Sequence, residues 1–165
     1  MEIKVNILIN EIQGLVKKYP DVVRAETVAV MDIIVARLEK EVIERTPAGV
    51  GGASGLRGSI HGEAVSVAGS SVKGVVGTPL EYGEVIEMGR RPGKGFPPVA
   101  PITLWAIRKL GVADKEAKSV GFLIARKIAK EGFEGAHMFQ KAWEANERWV
   151  MDQLQTIPGR VVNRL

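Results

Sequence analysis

The stretch SIHGEAVSVAGSSVKGVVGT, Ser59 to Thr78, decides the fold class. Val65 and Val67 alternate with Ser66, Gly69-Ser70-Ser71 interrupts, and Val72, Val75 and Val76 follow. β-branched side chains suit a pleated surface, and a break of glycine and serines suits a reversal of the chain. The pattern therefore predicts an antiparallel hairpin over residues 56–78. Lys73 and the small polar residues leave one of its faces wet. The open edge of a hairpin invites pairing with a neighbour, which makes Val65, Val67, Val72 and Val76 the candidate inter-subunit residues.

Upstream of the hairpin the period changes. Val5, Leu8, Ile12 and Leu15 recur at helical spacing and predict a first helix, ended by Pro20. Asp21 can start a second helix reaching about Arg45, with Val23, Val30, Ile34, Leu38 and Val42 in one stripe. A helix of that length calls for something flat to pack on. Between it and the hairpin, TPAGVGGASGLRG (residues 46–58) is too rich in glycine for regular structure.

Downstream, residues 79–99 read as irregular, with a short apolar piece from Tyr82 to Ile86. Pro101 opens a helix carrying Leu104, Trp105, Ile107 and Leu110, and Gly111 ends it. Asp114 caps another helix to about Glu131, with an inner stripe of Ala117, Val120, Ile124 and Ile128. Arg126, Lys127 and Lys130 lie near its C-terminus, where the helix dipole favours cations. A last helix starts near His137, with Phe139, Trp143, Trp149, Val150 and Leu154 on one side, and Pro158-Gly159 breaks it. Strands are segregated from helices, so the class is α+β: a small antiparallel sheet packed against a long N-terminal helix and C-terminal helices. The expected organisation is one domain over 1–165, with flexible loops at 47–58 and 88–98.

The chain has 165 residues, no cysteine, two histidines and a net charge of +4. The missing cysteines exclude disulfides, thiolate metal sites and cysteine nucleophiles. The charge alone is too small to imply nucleic-acid binding. No apolar run approaches the roughly 20 residues that span a bilayer. The start, Met1-Glu2-Ile3-Lys4, has an acid where a secretory leader has basic residues. The expectation is a protein made and kept in a cytoplasm, with no membrane partner.

Catalytic motifs fail one by one. After Gly49 and Gly51 a dinucleotide fingerprint needs a third glycine where Ser54 stands, and no GxxxxGK phosphate loop exists. GASGL around Ser54 misses the nucleophile elbow by one position. Ser59 and His61 are two apart on the start of a predicted strand, with no third partner in view. His137 with Glu134 or Glu131 is too few ligands for a metal. Glu81, Glu84 and Glu87 do not specify an acid–base pair, and Trp105, Trp143 and Trp149 read as core or subunit contact. The expectation is no catalysis, no metal and no cofactor, with Ser54, Ser59, His61 and His137 dispensable. One cluster stands out: Arg90, Arg91 and Lys94 on a loop, candidates for docking on phosphate or on an acidic partner.

Four segments in order carry a resemblance. Glu44-Arg45-Thr46-Pro47, a glycine-rich gap and Leu56-Arg57-Gly58-Ser59-Ile60 form the first. Val76-Gly77-Thr78 with Tyr82, Val85, Glu87 and Gly89 form the second. Pro97-Pro98 with Pro101, Leu104 and Trp105, then Gly132, Gly135, Met138-Phe139 and Ala142, complete the set. This chain resembles the tail-component (tail-completion or neck) family of long-tailed bacteriophages over about Ile34 to Trp149. It departs from the family pattern in a longer gap before Leu56 and in Arg90 after Gly89. The resemblance implies a virion structural protein forming a ring, usually sixfold, where the tail meets the head. It implies other neck and tail proteins as partners, non-specific contact with channel DNA, and assembly in the host bacterial cytoplasm. A tail terminator capping the tube, a small basic nucleic-acid-binding protein, and a hydrolase using Ser54 or Ser59 stay open as alternatives.

Overall fold

The computed structural model describes residues 1–8, 13–49, 55–68 and 71–165. In chain order these form β1 (Glu2–Leu8), α1 (Gln13–Lys18), α2 (Pro20–Arg45), α3 (Leu56–Ser59), β2 (His61–Ala68) and β3 (Ser71–Gly77). Then come α4 (Tyr82–Met88), β4 (Gly89–Arg90), α5 (Val99–Leu110), α6 (Asp114–Glu131), β5 (Phe133–Glu134), α7 (Met138–Gln155) and α8 (Ile157–Asn163). The class is α+β, an antiparallel sheet packed against the long helix α2 and the C-terminal helices α7 and α8. The chain forms two compact units. The first holds residues 1–45, 60–78 and 138–165, and the second residues 46–59 and 79–137.

In the first unit the sheet order is β1-β3-β2, with both outer strands antiparallel to β3. The hairpin is therefore two-thirds of a sheet, and its second strand is central. Val72 and Val76 of β3 are fully buried in the core. Val65 and Val67 lie on the outer strand β2, half-buried and exposed respectively. The helix expected from Val5 and Leu8 is instead β1, which pairs Val5 with Gly74 and Glu2 with Gly77. Ile3, Val5 and Ile7 also alternate with Glu2, Lys4 and Asn6, a period that fits a strand equally well over so short a run. The free side of β3 decides between them.

The stripe expected on α2 is the stripe found: Val23, Val30, Ile34, Leu38 and Val42 are all buried, with Met31 and Val35 beside them. The helix lies flat on the sheet because the sheet offers glycine where the helix comes closest. The side chain of Val35 sits directly over Gly62 of β2 and Gly74 of β3. Glu39 ties the same approach, its Oε2 accepting from the Gly62 backbone N–H at 2.8 Å.

Helices α7 and α8 also pack on α2. Met138, Phe139, Ala142, Asn146 and Val150 make the buried face of α7. Asn146 is satisfied inside it: Nδ2 donates to the Ala142 carbonyl at 2.8 Å and Oδ1 accepts from Arg37 Nε at 2.8 Å. The Arg37 guanidinium stacks over the Trp149 ring, 4.6 Å from its centroid. After α7 the chain does not simply stop at Pro158. Proline fits the first turn of a new helix, and α8 forms with Ile157 and Val161 buried.

One carboxylate fastens that last helix. Glu26, nearly buried on α2, accepts from Arg160 Nε at 2.9 Å and from Arg164 Nη1 at 2.6 Å. The hydrogen bonds from Arg160 and then Arg164 hold its carboxyl below the ordinary glutamate value of 4.5, against the opposing pull of burial. A carboxyl whose folded-state value is depressed contributes stability above its unfolded value and loses it as pH falls through the folded one. Glu26→Gln is thus expected to lower the melting temperature at pH 7, and the gap to the native protein should close as pH falls well below 4.5. Calorimetry of both proteins from pH 7 to pH 3 measures this, and a gap that widens in acid overturns the clamp.

Candidate functional site

The second unit carries the basic loop, and its local structure starts from glycine. Gly89 (φ 76°, ψ −172°) and Gly132 (φ 72°, ψ −165°) occupy a backbone region open essentially to glycine alone. They let β4 and β5 pair as a two-residue ribbon, Gly89 opposite Glu134 and Arg90 opposite Phe133. The backbones touch without side chains between them. A Cβ on Gly135 would lie 2.6 Å from the Met88 carbonyl carbon, and one on Gly132 would lie 3.0 Å from the Pro92 nitrogen. The chain next to the ribbon is held as well, with Ala136 N–H donating to Ile86 O and His137 N–H to Glu87 O.

The structure separates the three loop cations. Arg90 is half-buried and closes the loop on itself, Nη2 donating to the carbonyls of Lys94 at 2.8 Å and Gly95 at 3.1 Å. Its Nε is buried with no hydrogen-bond partner. Arg91 and Lys94 point outward and are exposed. The loop is anchored to α6 by Gly93 N–H donating to Ala129 O at 2.9 Å. Further along, the Phe96 ring lies against Phe122 of α6 with centroids 5.3 Å apart. Of the three candidates, Arg91 and Lys94 are available to a partner, while Arg90 shapes the loop that presents them.

Helices α5 and α6 form a tight hairpin because small residues line the seam. Ala106 on α5 and Ala117, Gly121 and Ala125 on α6 are buried, and a Cβ on Gly121 would lie 3.0 Å from the Thr103 Cα. The expected stripe Val120, Ile124 and Ile128 is only half-buried, because the close contact runs along the small residues instead. Gly111 ends α5 in the left-handed region (φ 68°, ψ 24°). Asp114 is the first residue of α6 and makes no side-chain cap there.

The close seam turns the remaining side chains outward. Among the described residues, ten of the sixteen large exposed apolar residues belong to the second unit, among them Met88, Leu104, Leu110, Phe122 and Leu123. Charge is just as uneven. The first unit has twelve basic and twelve acidic residues, the second eleven and seven, so the whole net charge of +4 resides in the second unit.

The residues considered for catalysis scatter. Ser54 lies outside the described residues. Ser59 ends α3 rather than opening a strand, its hydroxyl donating to the Leu56 carbonyl at 2.9 Å. His61 heads β2 and is exposed. His137 adopts φ 53°, unusual for a non-glycine residue, with Nδ1 buried and unpartnered. Glu87 is fully buried while Glu81 and Glu84 are exposed, so the three do not converge. Among the described residues no group of three His, Asp or Glu could hold a metal ion, and no helix is long and apolar enough to cross a membrane. Trp105 is exposed on α5, and Trp143 and Trp149 are half-buried on α7.

Sequence reasoning missed the outer face of α6. Arg126, Lys127 and Lys130 were explained by the helix dipole, yet Lys115, Lys118, Phe122 and Arg126 recur at helical spacing on the same exposed side. The signal was present in that period. Comparison with protein-family models, with curated proteins and with solved structures finds no match.

Proposed function

We propose that this protein is a virion structural component of a tailed bacteriophage, a ring-forming subunit at the head–tail junction. The observation that carries the reading is the concentration of exposed Leu, Trp, Phe and Met side chains on the second unit. Where exposed apolar side chains join into one patch, they mark contact with other chains. A closed ring needs two different patches per subunit. The exposed Leu104, Trp105 and Leu110 of α5 supply one, and the outer strand β2, with Val67 exposed, supplies the other.

The resemblance adds support residue by residue. Gly89, Gly132 and Gly135 stand where backbones meet without room for a Cβ. Met138, Phe139 and Ala142 are core, and Glu87 is buried. These shared positions are ones this fold needs, whereas Tyr82, Val85, Leu104 and Trp105, also shared, are exposed. Negative-stain imaging of the purified protein at rising concentration is expected to show rings, sixfold in the family pattern. Trp105→Glu, at an exposed position on α5, should abolish rings while leaving a folded monomer. Twofold dimers, or rings that tolerate this substitution, overturn the reading.

A further inference from the structure

We infer that the outer face of α6, together with the loop that follows β4, is a binding surface for the phosphate backbone of duplex DNA. The inference stands on the second unit alone and does not depend on the ring. Lys115, Lys118, Arg126 and Lys130 are exposed on one side of α6 and form no ion pair among the described residues. Lys127 pairs with Glu131 at 3.9 Å, and Asp114 and Glu116 flank Lys115 in the first turn. The bond from Gly93 to Ala129 and the Phe96–Phe122 contact place the loop bearing Arg91 and Lys94 against the same helix. Two segments far apart in sequence thus contribute to one basic surface.

Lys115, Lys118, Arg126, Lys127 and Lys130 outnumber Asp114, Glu116 and Glu131 on α6, and the natural complement of such a net-positive surface is a polyanion. The shape chooses among polyanions. From Lys115 to Lys130 the helix runs about 22 Å, at about 1.5 Å per residue. That span covers about six base pairs, at about 3.4 Å of rise per pair. The cations follow a convex rod rather than a groove, with an open depression lined by Lys118, Ser119, Phe122 and Leu123. Single strands are held in concave channels with free aromatic platforms. Here the two phenylalanines lie against each other, which occupies one face of each ring. A rod of cations that meets a duplex through its phosphates positions itself there without reading the sequence.

The test is fluorescence anisotropy of the full chain with a labelled random-sequence 20-base-pair duplex, across a salt series. Binding should weaken steeply with salt, and the triple variant Lys118→Ala/Arg126→Ala/Lys130→Ala should weaken it at least tenfold. The same variant should lower the slope of log affinity against log salt by about 2–3, since each phosphate contact contributes about 0.9. A control removing equal charge from the first unit, Lys17→Ala/Lys18→Ala/Arg24→Ala, should stay within about twofold of the native protein. Equal loss in both variants would reduce the effect to net charge and overturn the surface. Tighter binding to a single strand of the same length, or equal binding to poly-glutamate, would overturn the duplex as its ligand. Circular dichroism checks that both variants are folded, and imaging of the triple variant separates the two readings, since its rings should persist.

Discussion

Gly132→Ala is expected to be among the most damaging single substitutions in the second unit, costing about 2–6 kcal/mol. Two effects combine in that figure, about 1–3 kcal/mol for forcing a side chain into a glycine-only backbone region and about 1–3 kcal/mol for overpacking. Gly132 has φ 72° and ψ −165°, and the added Cβ would meet the Arg90 carbonyl oxygen and lie 3.1 Å from the Arg91 carbonyl carbon. Both obstacles are backbone, so no side-chain rotation relieves them. Two other glycines calibrate the result. Gly111 has φ 68° but open space around it, so Gly111→Ala should cost only roughly 1–2 kcal/mol. Gly159 sits in α8 without positive φ and with nothing near, so Gly159→Ala should be neutral or gain about 0.5–1 kcal/mol. Urea denaturation followed by tryptophan fluorescence gives the three values, with Trp105 reporting from the second unit. Gly132→Ala no worse than Gly111→Ala would mean that the β4–β5 ribbon is not built as described.

How far the sequence could be read depended on whether a segment's partner was local. The α2 stripe was legible because 3.6-residue periodicity over so long a helix is a strong signal. The hairpin was legible because its two strands and its break are adjacent. β1 was not, because seven residues satisfy two periods and its partner β3 lies more than sixty residues away. The ribbon of β4 and β5 was invisible for the same reason: two residues carry no period, and the glycines that permit it read only as loop. At the candidate surface, Arg91 and Lys94 were legible as cations on a loop, but their meeting with α6 required the Gly93–Ala129 and Phe96–Phe122 contacts. Arg90 looked equivalent to its neighbours, and only geometry distinguishes a residue that builds the loop from two that it displays.

Gly74→Ala is expected to destabilise the first unit by about 1–3 kcal/mol, the ordinary range for overpacking a tight core. Strand preference alone points the other way, since glycine is a poor strand residue on a scale spanning about 1 kcal/mol. The outcome therefore tests whether helix–sheet contact or intrinsic preference governs this position. The added Cβ would fall against Val35 and lie 3.1 Å from Met31 Cγ. Methionine can turn aside, but a β-branched valine on a helix has essentially one rotamer and cannot. Val35 is the obstacle, and removing it is the cure. Val35→Ala alone loses two buried methyl groups and should cost about 2 kcal/mol. In the double variant the new methyl occupies part of the space the valine leaves, so its loss should be about 1–2 kcal/mol smaller than the two single losses combined, within the range for residues in contact. Gly62 gives a second cycle, because Val35 covers it too, although a Cβ there would also lie 3.1 Å from the Glu39 Oε2 that accepts from its N–H. Additive losses in both cycles would separate α2 from the sheet at this point. Coupling in both would establish that a fork of one valine, seated on two glycines, fixes the distance between the long helix and the strands beneath it.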